Sequence, residues 1–341
     1  MKAIVYDAPG QFSYRDVPMP EITSDEVLIR VRSCGICGTD LHIHEGEFLA
    51  RFPLIPGHEF AGEIAALGSA VQHLKVGDRV VCDNTELCGH CFYCRRDQPL
   101  FCENFVSHGC NTAGGQAEYV AIKAEKVFPI QNLSWQEAAL VEPTACAVHG
   151  MDIIALKPGS EVLLFGAGPT GIILAQLLKL NGAAHLTVAA PAGPKLDLIS
   201  RLAADEVVVI DRDDPTAHKK YLLDTHRHGF DYVIEATGAP YLMNEALQYA
   251  RPGGHIVVYG VYPENARINW SPYEIFQKQL TIVGSFAQTH CFDRALLYLE
   301  SKQLKVAEMV THTFPLSDYA QALETLRARQ GVKISIEVDK C

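Results

Sequence analysis

Between residues 1 and 140, apolar and polar residues alternate in short runs that Gly and Pro separate. Alternation with a period of two predicts half-buried β-strands, and closely spaced short strands are typical of a barrel-like or sandwich-like β domain. The predicted strands lie at the N-terminus and at 27–31, 63–67, 79–82 and 118–122.

From residue 150 onward, apolar strands alternate with segments of helical spacing. Strands are predicted at 161–165, 185–190, 206–210, 231–236, 255–259 and 280–283, and helices at 169–180, 194–203 and 241–250. This alternation predicts an α/β unit with a doubly wound parallel sheet covered on both faces. Two helices, at 292–301 and 317–329, and a strand at 333–338 follow, and we expect this tail to return to the first domain.

The length of 341 residues predicts two domains, because single hydrophobic cores stop growing at roughly 250–300 residues. We expect residues 1–147 and 287–341 to form one domain and residues 148–286 the other. A net charge of −11 argues against nucleic acid as a partner. No run approaches the roughly 20 apolar residues of a membrane span, and the N-terminus lacks a signal-peptide apolar region. We therefore expect a cytoplasmic protein without a membrane partner.

Eleven cysteines are present, and the odd count excludes a fully paired disulfide framework. Four of them follow the pattern C-x2-C-x2-C-x7-C, namely Cys88, Cys91, Cys94 and Cys102. Four thiolates on so short a loop can surround one Zn²⁺ tetrahedrally. Disulfides and an iron–sulfur cluster are the alternatives. We favour a structural zinc with no open coordination position.

A glycine-rich loop follows the predicted strand 161–165 and opens the predicted helix 169–180. Its G-x-G-x-x-G residues are Gly166, Gly168, Pro169, Thr170 and Gly171. In this context the pattern predicts a Rossmann-type dinucleotide site with the pyrophosphate at the helix N-terminus, and a tight turn without a ligand is the alternative. Thr237, which follows the strand 231–236, is a further candidate for cofactor contact.

The end of the second strand of this unit bears on the choice of cofactor. An NAD enzyme usually has an acid there for the ribose 2′-OH, but this strand ends at Ala190, followed by Pro, Ala and Gly. Lys195 could supply positive charge to a 2′-phosphate, although a solvated lysine is the simpler interpretation. We expect NADP to be used at least as well as NAD.

Three distant segments could form a second zinc pocket if they meet in space. They contain Cys37, the adjacent His58 and Glu59, and Glu142, which together offer sulfur, nitrogen and oxygen donors. Taken singly, Cys37 could be a small buried hydrophobe and His58 a turn histidine.

These motifs together resemble the zinc-containing medium-chain alcohol and polyol dehydrogenases. The resemblance rests on GICGTDLH (35–42), GHEFAG (57–62), VGDRV (76–80), the four cysteines, EP (142–143) and the glycine-rich loop, and it covers nearly the whole chain. It implies a mostly β, GroES-like catalytic domain beside the Rossmann-type domain. Glu142-Pro143 resembles the sorbitol dehydrogenase-like branch, and the segment 189–194 departs from the usual Asp-bearing pattern in the way expected of a fungal-type NADP-accepting D-arabinitol dehydrogenase.

By matching position, the resemblance implies two zinc ions per chain. Cys37 and His58 would be ligands of the catalytic ion, Glu59 a ligand or an exchangeable partner, and Glu142 a ligand or a residue acting through bound water. The zinc would make a substrate hydroxyl more acidic, and NADP or NAD would accept the hydride.

The resemblance also implies a path for the substrate's proton. Thr39 would accept it, and it would continue over the nicotinamide ribose to His42. A local turn hydrogen bond is the alternative role for Thr39, and a surface position is the alternative for His42.

The expected function is therefore the oxidation of a polyol, such as D-arabinitol, or of a secondary alcohol to a ketone. An L-threonine or 2,3-butanediol dehydrogenase is the alternative enzyme, and a non-enzymatic zinc-binding module is the third possibility. The resemblance implies a homodimer or homotetramer. Phe48, Phe101 and Phe286 are candidates for the wall of the substrate pocket, with core packing the favoured role for each.

Overall fold

The chain divides into two units in the computed structural model, which describes residues 1–47, 49–211, 213–214 and 216–338. One unit contains Met1–Ala145 and Thr289–Cys341, and the other contains Cys146–Gln288. The domain boundaries expected from the sequence, after residues 147 and 286, each lie two residues from these divisions, after residues 145 and 288.

The first unit is built on a mostly antiparallel sheet. The strands of this unit are β1 (Lys2–Ala8), β2 (Gln11–Asp16), β3 (Glu26–Ile36), β4 (Phe60–Leu67), β5 (Arg79–Cys82), β6 (Thr85–Glu86), β7 (Val106–Ser107), β8 (Tyr119–Lys123), β9 (Val127–Pro129), β16 (Val310–Pro315) and β17 (Lys333–Glu337). Among them, β1 pairs with β2 and β6 with β7 in two small separate sheets. Its helices are α1 (Gly38–Glu45), α2 (Trp135–Ala138), α9 (Phe292–Glu300) and α10 (Tyr319–Arg327). A further helix, α3 (Val141–Ile154), begins in this unit.

The long strand β3 organises this sheet. The order within the described chain is β16-β17-β3-β4-β5-β9, and β8 also pairs with β3. From Val27 to Ser33, alternate residues of β3 are buried, which is what period-two alternation predicts for a strand with one covered face, and from Ser33 to Ile36 every residue is buried. The tail strand β17 pairs antiparallel with β3, so the C-terminal segment returns to the first unit as expected.

The second unit is a parallel sheet with helices between its strands. The strands are β10 (Glu161–Phe165), β11 (His185–Ala190), β12 (Glu206–Val209), β13 (Phe230–Glu235), β14 (Ala250–Val258) and β15 (Thr281–Gly284). The helices are α4 (Pro169–Leu180), α5 (Pro194–Leu202), α6 (Ala217–Thr225), α7 (Pro240–Tyr249) and α8 (Pro272–Lys278).

The strand order in this sheet is β12-β11-β10-β13-β14-β15, and its described pairs are parallel. The order reverses between β10 and β13, and in open α/β sheets ligands bind beyond the carboxyl ends of the strands at such a switch point. The predicted fold class, a doubly wound parallel sheet with a mostly β domain, is confirmed. Among the described residues, no helix combines the length and the apolar character that a membrane crossing needs.

Candidate active site

Three of the predicted zinc ligands come together in the first unit. Cys37 lies between the end of β3 and the start of α1, and His58 and Glu59 directly precede β4. Because β3 and β4 pair side by side, with Cys34 opposite Phe60, the residues that flank these paired ends are neighbours in space. Cys37, His58 and Glu59 each offer one potential ligand atom, and these three atoms lie within 4.8 Å of one another.

The donor chemistry of this cluster fits a zinc ion. His58 is buried, and its Nδ1 has no hydrogen-bond partner among the described residues. Leaving such an atom unpaired costs about 1–3 kcal/mol, so a cation bound there would satisfy an otherwise costly group. Burial alone would lower the pKa of His58, but the adjacent thiols of Cys110 and Cys37 raise it well above its usual value. A mixed thiolate, imidazole and carboxylate set is typical of a zinc site.

Glu59 has a charged partner that the sequence analysis did not identify. Its carboxylate is ion-paired with Lys333 of β17, and both side chains are almost fully enclosed, at 1% and 4% exposure. Gly35 makes this arrangement possible, because a Cβ at that position would overlap Glu59 Oε2. The sequence offered little signal, because Lys333 is the first residue of a strand that also contains Ser335 and Glu337, and only the pairing of β17 with β3 brings it to Glu59.

Asp40 is a second buried acid beside the cluster. Its Oδ2 accepts a hydrogen bond of 2.7 Å from the backbone N–H of Cys37, which fixes the turn that carries the thiol. Burial raises the pKa of Asp40, and the nearby positive charge of His58 opposes that shift. Asp40 therefore positions Cys37 from the first turn of α1.

The two residues of the predicted proton path lie on α1. Cys37 Sγ lies 3.8 Å from Thr39 Oγ1, so the hydroxyl adjoins the cluster. His42 is one turn further along the helix, and its Nδ1 lies 2.8 Å from Glu47 Oε2. The roles of Thr39 and His42 as proton carriers stay predictions.

Glu142 lies in the first turn of α3 and is partly buried. It does not belong to the described cluster of Cys37, His58 and Glu59 in which the ligand atoms lie within 4.8 Å of one another. The direct ligand role of Glu142 is not supported by this cluster, and its participation in the site stays a prediction.

The four cysteines of the lobe do come together. Their four sulfur atoms lie within 4.8 Å of one another, in Cys88, Cys91, Cys94 and Cys102. Tetrahedral Zn–S bonds of about 2.3 Å imply sulfur separations of about 3.8 Å, so the spacing fits one zinc ion. The backbone N–H of Cys88 donates to Cys102 Sγ at 3.3 Å, and that of Cys94 to Cys91 Sγ at 3.5 Å.

Backbone N–H groups also favour the thiolate form in the lobe. The N–H of His90 lowers the pKa of Cys88 to about 6, and the N–H of Cys94 lowers that of Cys91. Burial raises the pKa of Cys94 to about 12. A divalent cation at the centre would allow all four sulfurs to ionise together.

The glycine-rich loop lies at the carboxyl end of β10 and opens α4, as predicted. A Cβ at Gly171 would overlap Gly166 O, so the third glycine permits close approach of helix and strand. A Cβ at Gly168 would meet nothing within 4 Å, which leaves its backbone accessible. Pro169 and Thr170 occupy the first turn of α4, where unpaired N–H groups favour an anion.

Thr237 and Ala190, two further candidates for cofactor contact, lie near this loop. A Cβ at Gly166 would lie 3.0 Å from Thr237 Cγ2, so the loops after β10 and β13 meet at the switch point. Gly166 N–H donates to Ala189 O at 3.0 Å, which ties the loop to the end of β11 beside Ala190. Lys195 lies in the first turn of α5, partly buried and engaged in an interaction of its own.

Thr237 is held by a buried carboxylate that the sequence analysis missed. Glu235 is fully buried at the end of β13 and accepts hydrogen bonds from the backbone N–H groups of Thr237 (2.7 Å) and Gly238 (3.0 Å). The hydroxyls of Thr237 and Tyr262 also donate to it. Burial raises the pKa of Glu235, and these donors oppose the shift. An acid at the end of an apolar parallel strand was the available signal.

The phenylalanines considered for the pocket wall are not core residues where the structure describes them. Phe101 and Phe286 are 55% and 42% exposed, so the expectation of core packing was wrong for both. Phe101 directly precedes Cys102 of the cysteine lobe. Phe48 lies outside the described residues.

Comparison with known proteins gives two family matches. Residues 23–132 match the alcohol dehydrogenase GroES-like domain, and residues 169–301 match the zinc-binding dehydrogenase family. D-arabinitol dehydrogenase 1 of Uromyces fabae is 52% identical over 338 residues, covering 99% of this chain and 97% of the relative. The chain belongs to the zinc-containing medium-chain polyol dehydrogenases. Zinc and a nicotinamide cofactor are the groups on which this family's alcohol chemistry depends.

Two solved structures share the whole fold. A protein of Sinorhizobium meliloti described as a zinc-binding dehydrogenase, and bound to NADP, is 30% identical with a TM-score of 0.92 over 99% of each chain. A protein of Escherichia coli CFT073 described as a short chain alcohol dehydrogenase, in complex with NADH, is 27% identical with a TM-score of 0.90 over 99% of each chain. The likeness extends over both units of this dehydrogenase, and the two structures hold different cofactors.

Proposed function

We propose that this zinc polyol dehydrogenase oxidises a pentitol such as D-arabinitol to a ketose and uses NADP at least as well as NAD. The observation that supports this reaction is the cluster of the partly buried Cys37 with the buried His58 and Glu59. The 52% identity to a D-arabinitol dehydrogenase supports the substrate class. The strand β11 ends at Ala190 and not at an acid, which supports the use of NADP.

Each residue of the site has a task that follows from its chemistry. Cys37 and His58 would hold the catalytic zinc, with Glu59 beside them as a ligand or an exchangeable partner and Glu142 as a further candidate. When bound, zinc makes a substrate hydroxyl more acidic and the nicotinamide accepts a hydride. Asp40 orients the Cys37 backbone, and Lys333 balances the charge of Glu59.

The substrate's proton must leave a site poor in water. Thr39 can accept it through its hydroxyl, which adjoins Cys37 Sγ. His42 is the next proton carrier in this proposal, because an imidazole can accept a proton at one ring nitrogen and later release it. A second zinc in the lobe of Cys88, Cys91, Cys94 and Cys102, a homo-oligomer and a cytoplasmic location complete the proposal.

Turnover of a substrate panel tests the reaction. Purified enzyme is assayed with D-arabinitol, other pentitols, hexitols, L-threonine and 2,3-butanediol, each with NADP and NAD, and its zinc content is measured. We expect the highest kcat/KM with a pentitol and two zinc ions per chain. A higher kcat/KM for L-threonine would instead favour the alternative enzyme. No turnover with any alcohol would overturn the proposal.

The cofactor preference is tested at the end of β11. Ala190→Asp places a carboxylate where a 2′-phosphate would lie, and we expect the NADP-to-NAD ratio of kcat/KM to fall at least tenfold, or about 1.4 kcal/mol. Ala184→Asp adds the same charge just before the other end of the strand and should leave the ratio unchanged. A wild-type enzyme that strongly prefers NAD would refute the preference.

A further inference from the structure

Glu47 contacts His42 through one ring nitrogen of the imidazole, Nδ1. The distance from His42 Nδ1 to Glu47 Oε2 is 2.8 Å, and the two side chains are 23% and 38% exposed. A carboxylate accepts hydrogen bonds and cannot donate one when ionised. Nδ1 must therefore carry the proton of this bond, and the neutral ring then has its lone pair on Nε2.

The backbone at the end of α1 brings Glu47 to this position. Gly46 adopts a left-handed conformation, with φ of 83°, and its N–H donates to Ile43 O at 3.0 Å. Glu47 N–H donates to His42 O at 2.8 Å. These two bonds form a Schellman motif, in which the second residue beyond the helix folds back onto the last full turn.

The chain before β2 helps to fix this motif. A Cβ at Gly46 would lie 2.7 Å from Pro9 Cγ, so the left-handed glycine is packed against the loop between β1 and β2. Gly10 N–H also donates to His44 O at 2.7 Å, which occupies another carbonyl at the helix end. The contact between Glu47 and His42 thus follows from backbone hydrogen bonds, and does not depend only on two flexible side chains.

Other charged groups surround the end of α1, but their described contacts differ. Glu45 belongs to the same cluster, with its carboxylate within 4.8 Å of the ligand atoms of His42 and Glu47. His44 Nδ1 lies 3.1 Å from Tyr6 OH, and Arg327 of α10 exerts its charge on His44. Among the described residues, Glu47 is the group that the structure shows bonded to His42 Nδ1.

We propose that Glu47 is a positioning residue for proton transfer, an inference that rests on the proposed role of His42 as a proton carrier. Glu47 keeps the proton on Nδ1, so that neutral His42 accepts a substrate-derived proton at Nε2. The resulting imidazolium retains its Nδ1–H bond to the carboxylate and later releases the Nε2 proton to water. Partners of this kind fix the tautomer of histidines in other enzyme sites.

Glu47→Gln tests the inference with little change of shape. A glutamine side chain can accept from Nδ1–H or donate to a bare Nδ1, so it no longer selects one tautomer. In ¹⁵N-histidine-labelled holoenzyme at a pH where the ring is neutral, we expect the Nδ1–H tautomer of His42 in the wild type and a mixture in Glu47→Gln. We also expect kcat to fall about tenfold while KM for the polyol changes less than twofold.

Two further variants separate the possible failures. Glu45→Gln removes the same charge from the same cluster and should keep the wild-type tautomer and kcat. His42→Ala should lower kcat at least as much as Glu47→Gln. If His42→Ala slows the enzyme but Glu47→Gln has the wild-type tautomer ratio and kcat, the inference is wrong and the relay stands. If His42→Ala has wild-type kcat, the relay itself is wrong and the inference fails with it.

Discussion

At the scale of single residues, the site depends on buried charges that compensate one another. Glu59 and Lys333 are both enclosed, and each would be costly to bury alone. The Glu59 carboxylate can therefore interact either with the Lys333 ammonium group or with a metal ion. The ion pair with Lys333 gives a physical reason why Glu59 could serve as an exchangeable partner of the zinc and need not be a permanent ligand.

Removing Lys333 tests how much this compensation matters. Lys333→Met leaves the Glu59 carboxylate buried without its cation, and we expect the free energy of unfolding in urea to fall by about 3–5 kcal/mol. Lys302→Met breaks the exposed ion pair with Glu137 and should cost less than about 1 kcal/mol. Adding Glu59→Gln to Lys333→Met should recover most of the stability but not the activity. Equal losses in the two lysine variants would show that the buried pair has no special weight.

At the scale of elements, the sequence predicted the strands and helices of the parallel sheet well, but not the two helices α1 and α3 of the candidate site. The bounds of β10, α4 and β11 match the predictions to the residue, because apolar strands and a helical stripe bounded by Gly and Pro leave little ambiguity. The helix α1 was not predicted, because its eight residues bury only Asp40 and Ile43 and show no apolar stripe. The helix α3 was not predicted either, although its Pro143 lies in the first turn, where proline is tolerated.

Some residues of the candidate site could be predicted from the sequence, and others could not. Local spacing predicted the cysteine lobe and the glycine-rich loop, whereas the roles predicted for Cys37 and His58 came from the family resemblance. Lys333 reaches Glu59 only through the pairing of β17 with β3, and Tyr262 reaches Glu235 only through neighbouring loops of the parallel sheet. Such contacts join residues far apart in sequence, and neither hydrophobic periodicity nor spacing encodes them.

A substitution in the cysteine lobe tests whether this loop binds a structural zinc ion. Cys91→Ser removes a buried sulfur from the four-cysteine cluster, and we expect zinc content to fall from two ions per chain to one and thermal stability to decrease. Cys82→Ala, in β5, deletes another buried thiol of the same unit and should keep both ions. A Cys91→Ser protein that still holds two zinc ions would contradict a closed zinc site in the lobe.

At the scale of the whole molecule, β15 is the edge strand of the parallel sheet, and exposed strand edges invite pairing with another chain. Ile282 on this strand is 39% exposed, and Phe276 of the adjacent α8 is 80% exposed. We expect two copies to associate through this edge, so light scattering should give a multiple of the 37.4 kDa chain mass.

Ile282→Lys should shift the protein toward the monomer, because like charges would face each other across the paired edges. Leu297→Lys, on α9 of the other unit, makes the same change at a 67% exposed position and should leave the mass unchanged. An Ile282→Lys protein with the wild-type mass would place any subunit contact elsewhere on the surface.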